Sequence, residues 1–98
     1  MTTTDERQVA AARIEELLTL LRRQQGPETA GMIEECEALG RAVSAFHMEG
    51  IRFRIYNVDR ELAKHGDSLP AEARALLEEA RRHLEAAGFH TRSHQSPV

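Results

Sequence analysis

Residues 28–65 form a run in which apolar side chains recur at helical spacing on two separate faces, and this run most constrains what the chain can become. Read as one helix of about 38 residues at ~1.5 Å each, it would be ~57 Å long. A compact domain of 98 residues is only about 35 Å across by its expected radius of gyration. Such a helix needs covering on both sides. The neighbouring helices would cover part of it, and a second subunit or kinks at Gly40 and Gly50 would account for the rest.

The flanking segments supply those neighbours. Asp5 and the threonines before it offer N-cap side chains to a stripe of Val9, Ala10, Ile14, Leu17, Leu18 and Leu21, which predicts helix 1 over about 5–25. Gly26-Pro27 then ends one helix and begins the next. Residues 66–70 carry break chemistry, with Ser68 as an N-cap, before helix 3 over about 70–87. Ala73, Leu76, Leu77, Ala80 and Leu84 share one face of that helix, with Glu78, Glu79, Arg81, Arg82 and Glu85 largely opposite. Gly88 stops it, and 88–98 reads as a polar tail. The fold class expected is therefore all-α: one domain over 1–98, made of three helices of which helix 2 (about 28–65) is long and central, in an antiparallel homo-oligomeric bundle.

Composition agrees with helix packing, since aromatics make up 4 % with no Trp, and Leu and Ala carry much of the apolar mass. Charged residues at 30 %, with no stretch near the roughly 20 apolar residues of a membrane span, predict a soluble, cytoplasmic chain with no membrane partner. Met1 to Glu6 has no secretory character, and the lone Cys36 leaves no intrachain disulfide. A net charge of −3 argues against sequence-independent nucleic-acid binding.

Around helix 2, Leu39, Val43, Phe46, Gly50 and Phe53 fall in one arc and Met48, Ile51, Ile55, Val58 and Leu62 in another. An uncovered apolar arc of that length exceeds what soluble monomers usually expose, so self-association is expected, with Phe46, Gly50, Phe53, Ile51 and Ile55 at the oligomer interface. Between the arcs lie Cys36, His47, Arg54, Glu61 and His65. Cys, His and Glu are metal-ligand types, and Glu61 and His65 are spaced to reach one ion. Cys36 joins them only from a second subunit, if antiparallel helices cross near Gly50. That makes Cys36, Glu61 and His65 a candidate transition-metal set, with no cofactor otherwise expected. The ordinary alternative is a buried small thiol and a surface Glu–His pair. Arg52, Arg54 and Arg82 are candidate contacts for nucleic acid or an acidic partner, although acidic residues alternate with them as on a solvated face.

The spacing of Cys36, Glu61 and His65, with Val43-Ser44-Ala45, Asp59 and Leu62, resembles the middle helix of the CsoR/RcnR family over about 30 of 98 residues. The resemblance implies a small cytosolic repressor that senses a metal or thiol ligand between antiparallel middle helices and binds DNA. Glu61 stands where the family's metal sensors usually carry His, and a carboxylate makes a harder site, less suited to Cu(I).

Enzyme signatures are missing: there is no Glu-x-x-His repeat, no His-Glu-x-x-His and no Gly-rich phosphate loop. Glu34, Glu35 and Glu37 around Cys36 disfavour a reactive thiolate. The function expected is a non-enzymatic helical module that self-associates through its long helix and binds a protein partner. The alternative is a CsoR/RcnR-like regulator, in which nucleic acid would be the partner.

Overall fold

A computed structural model describes residues 5–24, 26–65 and 68–89. Among these residues the chain forms four helices: α1 (Glu6–Arg23), α2 (Pro27–Ser44), α3 (Met48–Lys64) and α4 (Ala71–Ala86). The all-α class stands, and the long central helix does not. Residues 28–65 divide into α2 and α3, which fold back on each other as an antiparallel hairpin. Glu35 of α2 accepts hydrogen bonds from both Arg54 and Asn57 of α3, each at 3.1 Å, across the turn. The molecule's longest axis is 41 Å, too short for a ~57 Å helix.

The break falls at neither Gly40 nor Gly50. Phe46 adopts a left-handed conformation, φ 58°, directly after the last turn of α2. Its N–H donates to the Val43 carbonyl at 3.2 Å, and the His47 N–H donates to the Ala42 carbonyl at 3.0 Å. This is the Schellman pattern, which satisfies carbonyls that a helix end would otherwise leave bare. His47 then caps α3, its Nδ1 accepting from the Gly50 N–H at 2.8 Å. The same motif ends α4, where Gly88 takes φ 98° and the Phe89 N–H reaches the Leu84 carbonyl at 2.9 Å. A left-handed Gly is unstrained, whereas a left-handed residue with a Cβ costs roughly 1–2 kcal/mol. Contacts of the Phe46 ring offset that cost: it stacks on Phe89 at 6.3 Å between centroids and carries the Arg7 guanidinium 3.9 Å from its own.

Other boundaries follow the sequence closely. Asp5 caps α1 by accepting from the Arg7 and Gln8 N–H groups. The N-cap of α4 is Pro70 and not Ser68, whose hydroxyl donates to the His65 carbonyl at 3.0 Å. Phe89 is buried, so the described start of the expected polar tail belongs to the core; residues 90–98 lie outside the described residues.

The four helices run up and down. His83 to Glu6 and Arg13 to Glu79 tie α1 antiparallel to α4, and Arg22 to Glu37 with Arg7 to the Val43 carbonyl ties α1 to α2. Of the helices adjacent in sequence, α3 and α4 pack most thinly. The core takes Ile14, Leu17 and Leu21 from α1, Met32, Cys36, Leu39 and Val43 from α2, Ile51, Ile55, Val58 and Leu62 from α3, and Leu77 and Leu84 from α4. Arg81, placed on the outer face by the sequence, is buried to 6 % exposure and bonds Glu78 at 2.8 Å. Its aliphatic stem extends the apolar face of α4 while the guanidinium reaches a carboxylate one turn back.

A left-handed residue at 46 inverts the helix ranking of Gly and Ala. Phe46→Gly is expected to be more stable than Phe46→Ala by ~1 kcal/mol in urea unfolding, because only Gly adopts that conformation without strain. In a continuous helix Ala would be the more stable by a similar ~1 kcal/mol.

Candidate functional site

The turn redistributes every residue expected at an oligomer interface. Ile51 and Ile55 are fully buried in the chain's own core and are unavailable to a partner. Gly50 packs inside the hairpin, where an added Cβ would lie 2.7 Å from His47 Nδ1 and 3.3 Å from Ala42 Cβ. Any side chain there would displace the His47 cap, so the turn itself requires Gly50. Phe46 is 62 % exposed, but its ring is engaged by Arg7 and Phe89. Phe53 alone of the five is both exposed, at 57 %, and on a helix face that the core does not use.

The candidate metal residues are also dispersed. Cys36 is fully buried on α2, and burial, followed by Glu35 and Glu37, pushes its thiol from 9.0 up to about 12. Glu61 and His65 stay together at the end of α3, 3.8 Å apart, with Lys64 on Glu61 at 3.3 Å. Among the described residues of one chain, no group of three or more His, Cys, Asp and Glu side chains is placed to hold a metal ion. The intersubunit set presupposed a straight helix from residue 36 to 65, and the turn at 45–47 interrupts it.

Of the basic candidates, Arg52 pairs with Glu49 at 3.1 Å, Arg54 pairs with Glu35, and Arg82 lies exposed on α4. Arg54 also lies over the Phe53 ring, 5.1 Å from its centroid. One turn on, Arg60 lies 5.6 Å from the centroid of Tyr56, which is 43 % exposed. Glu49, Phe53, Tyr56 and Arg60, spaced four, three and four residues apart, fall within an arc of about 60° on the outside of α3. Tyr56 was absent from the residues singled out by sequence. Its signal is the helical spacing from Phe53, which the sequence carries whether or not the helix breaks; the fold adds that this stripe lies on the outside of α3.

Two concavities lie elsewhere. An open groove of about 810 Å³ between α1 and α2 is bordered by Glu15, Arg22, Glu37 and Arg41, two charges of each sign. A cleft of about 230 Å³ lies where α3 meets α4, against Leu62, Leu69 and Pro70. Neither gathers groups that converge on a point. No helix among the described residues is long and apolar enough to cross a membrane.

Compared with protein-family models, curated proteins and solved structures, the chain matches none of them.

Cys36 is expected to react with iodoacetamide at least ~100-fold more slowly in the folded protein than in guanidinium chloride, because the thiol is both shielded and protonated. Its raised ionisation has a definite sign. Below pH 9.0 folded and unfolded thiols both hold the proton, and between 9.0 and about 12 only the folded one does, so stability falls across that window. Comparing the urea midpoints of wild type and Cys36→Ala at about pH 8 and about pH 10.5 isolates this loss, which the variant lacks.

Proposed function

We propose that the chain is a small non-enzymatic interaction module that binds a protein partner through the outer face of α3, with Phe53 and Tyr56 at the centre of the contact. One observation carries this reading: the chain has three Phe and one Tyr, and two of these four rings, Phe46 and Phe89, stack on each other at the hairpin turn and the end of α4. The remaining two lie exposed on a single helical stripe, each beneath an arginine. Aromatic rings and Arg are the side chains most enriched where protein surfaces bind tightly. Burial would also strengthen the two cation–ring contacts, from roughly 0.5–1 kcal/mol when exposed to about 2 when desolvated.

Charge favours protein over nucleic acid as the partner. Arg52, Arg54 and Lys64 each have a carboxylate within 3.3 Å, so the face is balanced and not cationic. Nucleic-acid binding relies on a surplus of Lys and Arg meeting phosphates, and the whole chain carries −3.

Benzoylphenylalanine in place of Phe53 or Tyr56, illuminated in the cells that make the protein, is expected to give light-dependent protein adducts. The same group in place of the exposed Ala30 on α2 is expected to give few. Equal yields at all three positions would overturn the assignment of this face.

A further inference from the structure

We propose that the partner on this face is a second copy of the chain, packed antiparallel across a two-fold axis that passes between Phe53 and Tyr56 of α3. The proposal rests on the reading of α3 as the contact surface and names what occupies it. Its basis is the order of side chains along the stripe: acid, ring, ring, base.

A two-fold interface places residue i against j and j against i, so the surface must be complementary to itself. Glu49 and Arg60 lie at equal distances on either side of the midpoint between Phe53 and Tyr56, about 16 Å apart along the helix. Turned end for end, the stripe sets Glu49 against Arg60 of the second copy at both edges, and Phe53 against Tyr56 twice in the middle. Parallel packing would instead oppose Glu49 to Glu49 and Arg60 to Arg60. Charge therefore selects one orientation, as flanking charges do in paired helices.

Each member of the stripe is accessible without unfolding anything. The Glu49 side chain is 75 % exposed, and Arg60 lies on the solvent side of α3. The existing pair between Glu49 and Arg52 is of the exposed i,i+3 kind, which a second cation can join at little cost. Four side chains of a single helix fall short of the roughly 20–30 residues a side of a tight complex, so the dimer is expected to be weak, with a Kd of roughly 10–100 µM.

Sedimentation of the full chain from about 10 to about 500 µM tests this, a range that brackets such an affinity. Wild type is expected to approach twice its 11.0 kDa. Glu49→Arg or Arg60→Glu alone places like charges at both edges and should weaken association at least ~10-fold. An equimolar mixture of the two variants, or the double variant, restores opposite charges and should recover to within ~3-fold of wild type. Circular dichroism confirms that each variant retains its helices. A monomeric wild type, or a mixture no stronger than its components, overturns the antiparallel pairing. A monomer that still forms adducts through Phe53 with another protein would fail this proposal alone. A dimer indifferent to Phe53→Ala and Tyr56→Ala would fail the contact face as well.

Discussion

The structure depends on a single left-handed residue. Phe46 reverses the chain between α2 and α3, and without that reversal the core residues of α3 could not face those of α2. Two hydrogen bonds of the Schellman pattern hold the conformation, and the Phe46 ring is clasped between Phe89 and Arg7. Those two contacts come from opposite ends of the chain, next to the His83–Glu6 pair that joins α4 to α1. The turn is therefore tied to the closure of the bundle: its strain is tolerated because the same ring that creates it also packs the end of the molecule.

How much of this was legible in the sequence depends on which residues mark each helix end. Asp5 before α1, Gly26-Pro27 before α2 and Gly88 after α4 are residue types whose backbone or side-chain preferences match the boundary they occupy, and each marks a real one. At the α2–α3 turn the left-handed position holds Phe in place of Gly or Asn, and the cap is His in place of Ser, Thr, Asp or Asn. Local propensity there says helix, and tertiary packing overrides it. The glycines nearby pointed to the wrong places: Gly40 lies inside α2 and Gly50 in the first turn of α3.

One missed turn carried the site with it. Of the two apolar arcs of the long helix, the second, Met48, Ile51, Ile55, Val58 and Leu62, packs onto the core as the chain folds onto itself, whereas the first splits, with Leu39 and Val43 buried and Phe46 and Phe53 exposed. Cys36, read as either ligand or small buried hydrophobe, is placed in the core with its thiol held protonated. What the hairpin leaves outside is one face of α3. Phe53 and Tyr56 with their arginines fill it, and the functional reading moves there from the interior.

The hairpin is tested most directly by a distance across it. Spin labels attached through Glu34→Cys and Ala63→Cys, in a Cys36→Ala background diluted with unlabelled chain, report the separation of two exposed positions on α2 and α3. Side-by-side helices with axes 8–10 Å apart are expected to give a distance centred at about 10–25 Å. A distribution centred near ~44 Å, the length of 29 residues of straight helix, would contradict the hairpin and everything placed upon it.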